Sequence, residues 1–161
     1  MEKVFILLGS NLGDRKFFLE KAITEMTTCS KINVSKLSST YETEPYGFFD
    51  QPYFLNQALE IFTSLEPKEL LTFCKNTEDK IGRNFREKWH CREIDIDIIF
   101  FGDKVINLQD LVIPHYDLYN RLFVLVPLRE IAEDFCCPKT GLKISEILEK
   151  CSDQSKVKIF N

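Results

Sequence analysis

The segment Arg92-Glu93-Ile94-Asp95-Ile96-Asp97-Ile98-Ile99-Phe100-Phe101 alternates isoleucine with aspartate and then becomes continuously apolar. Successive side chains of a β-strand point to opposite faces, so the first three isoleucines are predicted on one face and Asp95 and Asp97 on the other. Ile99 and Phe101 are expected to continue the aspartate face. The two carboxylates therefore lie near the end of a buried strand, where the sheet opens to solvent.

Two like charges on one apolar strand are costly unless a positive group meets them. Two strand positions span roughly 6.6 Å, so Asp95 and Asp97 could hold one divalent cation between them or one on each. The preceding residues, 83–92, contain four cationic side chains, one histidine and the only tryptophan, in a chain of net charge −4. A basic segment beside two carboxylates indicates a site for a metal-bound polyphosphate. The alternatives are a solvated charged face and a structural aspartate pair.

The bulk composition is typical of a globular protein. With 161 residues, 44% hydrophobic and 29% charged, the chain is predicted to be a single domain over residues 1–161. Its acidic balance argues against nonspecific nucleic-acid binding. No apolar run approaches the ~20 residues of a membrane span and no leader precedes the first strand, so we expect a cytoplasmic protein. The six cysteines are scattered without a C-x-x-C spacing, so free thiols are expected.

Strand and helix patterns follow one another along the chain. Strands are predicted over 4–8, 32–41 and 53–62, and helices over 14–28 and from Pro67 to Gly82. Shorter elements are expected at 122–132, 144–151 and 157–160. The Gly9-Ser10-Asn11 turn is interpreted as a strand-to-helix connection rather than a phosphate site. No P-loop motif occurs anywhere.

The loop over 43–52 carries two prolines, a glycine and three aromatic residues. It either packs onto the core or forms one wall of a pocket for a flat ligand, and both interpretations remain open. Asn56, which follows the loop on an apolar strand, could recognise a ring edge through its amide. His115, after Pro114 and before Arg121, is either a structural histidine or a phosphate contact.

Four motifs occur in the order and spacing of one enzyme family. They are Thr43-Glu44-Pro45-Tyr46-Gly47, Gln51-Pro52-Tyr53-Phe54-Leu55-Asn56, Arg92-Glu93-Ile94-Asp95-Ile96-Asp97-Ile98, and Pro114-His115-Tyr116 with Asn120-Arg121. From Gly9 to about Ala132, the chain resembles 6-hydroxymethyl-7,8-dihydropterin pyrophosphokinase of folate biosynthesis. The resemblance implies an α+β fold with a ferredoxin-like βαββαβ core, in which helices pack on a mostly antiparallel sheet. It also implies Mg²⁺-dependent transfer of pyrophosphate from ATP to the pterin hydroxymethyl group, with release of AMP.

The resemblance further implies a role for each matching residue. Two Mg²⁺ ions would be bound by Asp95 and Asp97. The pterin would be contacted by Thr43, Pro45, Tyr46, Phe54, Asn56 and Phe123. ATP would be contacted by Lys75, Glu78, Arg92, Ile98, His115, Tyr116 and Arg121. Catalysis would use Arg83, Arg86, Lys88 and Arg92 with the two aspartates, and Arg86 and Lys88 would belong to a mobile loop. The implied partners are ATP and the pterin, with no nucleic acid or membrane, and the chain would be a monomer.

Two other function classes are weighed against the enzyme. A noncatalytic ferredoxin-like domain that senses a ligand has no need of cations beside a dicarboxylate site, which argues against it. An RNA-binding sheet is expected to expose aromatic side chains on its strands and to carry a basic face. Here the aromatic residues are concentrated in a loop and the net charge is negative.

Overall fold

The computed structural model describes residues 1–47, 49–84 and 90–161. In chain order, the elements are β1 (Glu2–Ser10), α1 (Arg15–Thr28), β2 (Ile32–Leu37), β3 (Tyr41–Thr43), β4 (Phe54–Thr63), α2 (Pro67–Ile81), β5 (Asp95–Phe101), β6 (Ile106–Asn107), β7 (Val112–Ile113), a 3₁₀ turn (Tyr116–Asn120), α3 (Leu122–Ala132), α4 (Ile144–Glu149) and β8 (Val157–Ile159). Within the described ranges, no helix has the length and apolar character needed to cross a membrane.

The main sheet has the strand order β5-β1-β4-β3-β8, and its paired strands are antiparallel. β2 also pairs with β4, next to β3 along the same edge. The chain therefore follows a βαββαβ path with β1 and β4 at the centre. The strand predicted over 32–41 is divided into β2 and β3, because Ser38 leaves the regular ladder and its hydroxyl accepts a hydrogen bond from the Ala58 N–H.

The helices cover both faces of this sheet. Val4, Ile6 and Leu8 of β1 are buried against α1 and α2. Phe5 and Leu7 are buried on the opposite face, against α3 and α4. Burial of one large apolar side chain contributes about 1.5–3 kcal/mol. Because β1 contributes such side chains to both cores, it is the most constrained strand of the fold. The prediction that residues 4–8 form a strand buried on both faces is confirmed.

Three of the four ends of the long helices have the expected capping chemistry. The Asp14 side chain accepts a hydrogen bond from the Phe17 N–H at the start of α1. Pro67 is the first residue of α2, where its missing N–H costs nothing. Gly82 ends that helix with φ of 106°, in the left-handed region that favours glycine. The segment that follows Gly82 therefore connects the end of α2 with the start of β5.

β5 contains a register shift that the alternating pattern does not predict. The pairing between β1 and β5 changes by one residue beside Ile99. The isoleucines of the alternating segment are buried against α1 and α2, as predicted, and Ile99 faces α3 and α4. The prediction that Phe101 continues the aspartate face is wrong, because the extra residue of the bulge turns Phe101 towards α1 and α2.

Candidate active site

A cleft opens on the side of the sheet that carries α3. Its floor comes from β1, β4 and β5, and its walls come from residues 43–46 and 115–123. Most of the predicted site residues line it: Thr43, Tyr46, Phe54, Asn56, Arg92, Asp95, Asp97, His115, Tyr116, Arg121 and Phe123. Leu7, Gly9, Glu44 and Asp117 complete the lining. The fold thus brings together residues that are far apart in the chain.

Strand register aligns the polar residues of the floor in one row. Asp95 lies opposite Gly9, and Gly9 lies opposite Asn56 on its other side. A Cβ atom at Gly9 would lie 3.1 Å from Asn56 Oδ1, so the glycine allows the Asn56 amide to lie against the floor. Asn56 Nδ2 donates a hydrogen bond of 2.7 Å to the buried Thr43 Oγ1. One end of the row therefore carries a carboxylate and the other a fixed amide.

Asp95 is held by two guanidinium groups. Arg83 Nη1 lies 2.8 Å from Asp95 Oδ1, and Arg92 donates to Asp95 Oδ2. Burial alone would raise the pKa of Asp95, but the charges of Arg92 and Arg83 outweigh it and lower that pKa. Asp95 is therefore ionised, and it fixes the position of Arg92 at the cleft.

Asp97 has a different environment although it is only two residues away. His115 Nε2 lies 3.9 Å from Asp97 Oδ1. Within the described parts of the chain, no lysine or arginine forms an ion pair with Asp97. Burial, together with the charge of Asp95, raises the pKa of Asp97 well above its usual range. A cation between the two carboxylates would remove this repulsion.

The oxygen ligands available here suit magnesium. Mg²⁺ is usually bound by one or two carboxylates, while water and substrate phosphates fill its other positions. The described residues contain no group of three or more histidine, cysteine, aspartate or glutamate side chains arranged to hold a metal. The aspartate pair therefore fits a metal that is shared with a phosphate substrate better than a closed structural metal site.

His115 is oriented by the turn that follows it. Its Nδ1 accepts a hydrogen bond of 3.3 Å from the Asp117 N–H, so neutral His115 carries its proton on Nε2, the atom nearest Asp97. Burial lowers the pKa of His115, which keeps the ring neutral near pH 7. The ring stacks on Tyr116 with 4.4 Å between centroids. His115 can therefore donate a hydrogen bond into the cleft.

Three predicted ATP or catalytic residues form a network beside Asp95. Glu78 is buried and accepts hydrogen bonds from the Ile96 N–H at 2.8 Å and from Lys75 Nζ at 3.1 Å. Arg83 Nη1 lies 2.6 Å from Glu78 Oε2 and thus connects Glu78 with Asp95. The network joins the end of α2 to the start of β5 and sets the position of the aspartate strand.

The remaining predicted residues fall in three places. The side chain of Ile98 is buried in the core under α1 and α2. Pro45 is buried between Glu44 and Tyr46, which both line the cleft. Arg86 and Lys88 lie outside the described residues.

The opposite wall is built around Arg121. Its guanidinium carbon lies 3.3 Å from the centroid of the Tyr46 ring, and its Nε donates to Asp117 Oδ1 at 3.1 Å. A guanidinium over an aromatic face keeps its charge while both groups are partly desolvated. This contact joins the loop over 43–47 to the residues that precede α3.

Asn11 is a site residue that the sequence pattern does not reveal. It is 1% exposed, and its Oδ1 accepts a hydrogen bond of 2.8 Å from the Arg92 N–H. Its Nδ2 donates to Gln51 Oε1 at 3.0 Å and to the Pro52 carbonyl at 3.2 Å. The turn interpreted as a simple connection therefore ties the aromatic loop to the start of the aspartate segment. A buried amide in a turn was the available signal, but its partners are distant in sequence.

A family model described as 7,8-dihydro-6-hydroxymethylpterin-pyrophosphokinase (HPPK) matches residues 5–133. The chain belongs to this family. A 2-amino-4-hydroxy-6-hydroxymethyldihydropteridine pyrophosphokinase from Bacillus subtilis (strain 168) is 44% identical over 129 residues, which are 80% of this chain and 77% of the relative. The enzyme of the same name from Haemophilus influenzae (strain ATCC 51907 / DSM 11121 / KW20 / Rd) is 36% identical over 159 residues, 99% of each chain.

Solved structures support the fold. The Plasmodium falciparum HPPK-DHPS wild type with pteroate superposes with a TM-score of 0.75 at 16% identity, over 92% of this chain. This chain corresponds to 42% of that longer one. The predicted family, the ferredoxin-like fold and the class of enzyme, a diphosphokinase of folate biosynthesis, are confirmed.

Proposed function

We propose that this HPPK-family chain transfers pyrophosphate from ATP to 6-hydroxymethyl-7,8-dihydropterin in a Mg²⁺-dependent reaction that yields AMP and the pterin diphosphate. The observation that supports this most directly is the polar row of the cleft floor. Asp95 lies at one end with Arg83 and Arg92, and Asn56 lies at the other end with aromatic residues around it. A phosphate-binding end and a ring-binding end in one cleft suit a reaction between a nucleotide and a pterin.

The acidic end would bind the triphosphate. Asp95 and Asp97 would hold two Mg²⁺ ions, which would neutralise charge on the phosphate oxygens. Arg92 and Arg121 line the cleft and would balance the remaining negative charge. His115 would donate a hydrogen bond from Nε2. Lys75, Glu78, Arg83 and Tyr116 complete the proposed ATP and catalytic residues, with Arg86 and Lys88. Ile98 would contact ATP only through its backbone, because its side chain is buried in the core.

The amide end would bind the pterin. Asn56 already gives one N–H to Thr43, which leaves Oδ1 and the second N–H to bind a ring edge. Pro45, Tyr46, Phe54 and Phe123 would surround the ring. The chemistry needs no covalent intermediate: the hydroxymethyl oxygen bonds to the β-phosphorus and loses its proton to water. The bond from that phosphorus to the oxygen of the α-phosphate breaks, and AMP leaves with the bonding electron pair. The chain contributes by positioning the two substrates and stabilising charge.

The whole chain is proposed to act as one catalytic domain over residues 1–161, as a cytoplasmic monomer without nucleic-acid or membrane partners. Support comes from the single main sheet, on which helices from both halves of the chain pack. The net charge of −4 also speaks against nucleic acid as a partner. Size-exclusion chromatography with light scattering tests the monomer directly.

A binding experiment tests the metal part of the proposal without turnover. A nonhydrolysable ATP analogue should raise the unfolding temperature when Mg²⁺ is present, by an amount equivalent to about 2.7 kcal/mol at a concentration one hundred times Kd. Asp97→Asn should lose most of this Mg²⁺-dependent stabilisation. An equal shift in EDTA, or an unchanged shift in the variant, would contradict the metal assignment.

A further inference from the structure

The chain ends in a segment that touches both walls of the cleft. Residues 152–160, named here the C-terminal strap, run from the 3₁₀ turn before α3 to strand β3, with which β8 pairs. The strap lies beyond residues 5–133, which the family model matches. We propose that the strap is a positioning element for the pterin end of the cleft, with Asp153 as its central residue. This inference rests on the proposed function.

On the first wall, the strap fixes the start of α3. The N-cap residue Arg121 provides no side-chain capping bond, and the Leu122 N–H instead donates to Asp153 Oδ2 at 2.8 Å. A carboxylate suits this position because the first N–H groups of a helix need acceptors and carry partial positive charge. Asn120 Oδ1 accepts from the Ser152 N–H at 3.1 Å and from Ser152 Oγ at 2.9 Å. The residues on both sides of Arg121 are therefore bound to the strap.

Asp153 is itself held in place. Its Oδ1 accepts hydrogen bonds from the Ser155 hydroxyl and, at 2.9 Å, from the Ser155 N–H. Burial alone would raise the pKa of Asp153, but the bonds from Ser155 and Leu122 and the charge of Arg121 outweigh it and lower that pKa. The carboxylate is thus ionised, and Ser155 of the same strap holds it in the orientation in which it accepts the Leu122 N–H.

On the second wall, the strap fixes the residues that follow β3. The Lys156 N–H donates to Glu44 Oε2 at 3.0 Å, and the Glu44 N–H donates to the Lys156 carbonyl at 3.2 Å. Val157 pairs with Thr43 in the ladder between β8 and β3. Thr43 and Glu44 line the cleft, as do Arg121 and Phe123 on the other side. Four residues of the strap, from Asp153 to Lys156, therefore connect the two walls.

The strap contributes little to either core. Phe160, at its far end, packs against the α1 and α2 core, but residues 152–156 belong to neither core, Lys156 is exposed, and β8 is only three residues long. Loosening it should therefore change the separation of the cleft walls more than it changes the free energy of unfolding. The walls it connects carry Thr43 and Phe123, two of the proposed pterin contacts.

The test uses the full-length chain with Asp153→Ala, the conservative Asp153→Asn and the control Lys158→Gln, which changes an exposed charge on β8. Hydrogen–deuterium exchange of the unliganded protein should increase in both 121–126 and 43–47 for Asp153→Ala, with Asp153→Asn intermediate. The control should leave both segments unchanged. Faster exchange only at 121–126 would overturn the proposal, because a simple helix cap would produce that result.

Pterin binding gives the second readout. Asp153→Ala should raise Kd for the dihydropterin roughly tenfold, because binding must then order walls that the strap no longer holds, while Asp153→Asn restores part of the affinity. A lower unfolding temperature with unchanged Kd would also overturn the proposal. If the wild-type chain bound no pterin, the proposed function would fail, and the exchange experiment would still decide whether the strap couples the walls.

Discussion

Asp95 and Asp97 differ mainly in what surrounds them. Asp95 is neutralised by Arg83 and Arg92, whereas Asp97 faces the charge of Asp95 and a neutral histidine. Asp95 thus also contributes to the structure of the site, while Asp97 carries an unfavourable charge that a metal would relieve. This contrast predicts different consequences for two matched substitutions.

Asp97→Asn should reduce kcat/KM at least about a hundredfold, as expected when a preorganised electrostatic group is removed. Its free energy of unfolding should stay unchanged or increase, because a like charge beside Asp95 disappears. Asp95→Asn should also inactivate the enzyme, but it should lower the free energy of unfolding by about 1–3 kcal/mol, since Arg92 loses its carboxylate partner and Arg83 keeps only Glu78. Steady-state kinetics and urea unfolding measure both. Near-normal turnover of Asp97→Asn would show that the metal assignment is wrong.

Asn11 is expected to affect the site through Arg92. Asn11→Ala removes the acceptor of the Arg92 N–H and two donors to the aromatic loop, and should lower the free energy of unfolding by about 2 kcal/mol. In the folded variant, kcat should fall because Arg92 is less well positioned. Thr24→Ala, on the exposed side of α1, is the matched control. A loss of stability with unchanged kcat would limit Asn11 to a structural role.

At the residue scale, the sequence predicts chemistry better than it predicts contacts. The aspartate pair, Asn56, Arg92, His115 and Arg121 follow from local pattern and family motifs, and they line one cleft. The bond from Arg92 to Asn11 joins residues 81 positions apart. No local pattern reports such a pair, because it exists only after the sheet has formed.

Local sequence patterns predict the helices of this fold better than the irregularities of its strands. The apolar stripes and capping residues predict α1 and α2 closely, since helix periodicity and end signals are local. The bulge at Ile99 depends on how β5 pairs with β1, so the alternating pattern misplaces Phe101. The break between β2 and β3 likewise depends on a hydrogen bond to β4.

One contact between elements gives a pH-dependent prediction. Glu130 of α3 accepts hydrogen bonds from the Ser39 N–H, the Ser39 hydroxyl and the Tyr41 hydroxyl beside β3. Burial alone would raise the pKa of Glu130, but these bonds outweigh it and lower that pKa from its ordinary value of 4.5. The ionised carboxylate therefore stabilises the folded state above that pH, and the contribution disappears as the pH falls through the lower folded-state pKa.

Glu130→Gln should lower the free energy of unfolding at pH 7 by a few tenths of a kcal/mol up to about 1 kcal/mol, because the group is exposed. The difference from wild type should become smaller below pH 4.5. Urea unfolding at pH 7 and at lower pH measures it, with Glu149→Gln at the exposed end of α4 as the control. A difference that stayed constant or increased at low pH would contradict this assignment.

At the scale of the molecule, the two faces of the sheet have different roles. The α1 and α2 face buries the isoleucines of β5 and, with Glu78, holds that strand in place. The α3 face leaves the row from Asp95 to Asn56 open as the floor of a cleft. The family motifs predict this overall architecture. They do not predict the role of residues 152–160, because that role depends on the distance between two walls.

The most direct test of the proposed reaction is product analysis. The purified chain is incubated with Mg²⁺, ATP and 6-hydroxymethyl-7,8-dihydropterin, and nucleotides and pterins are separated by chromatography and identified by mass spectrometry. Asp97→Asn is the matched inactive control. The proposal predicts AMP and pterin diphosphate in equal amounts, with no ADP. ADP with a pterin monophosphate, or AMP without a phosphorylated pterin, would contradict it.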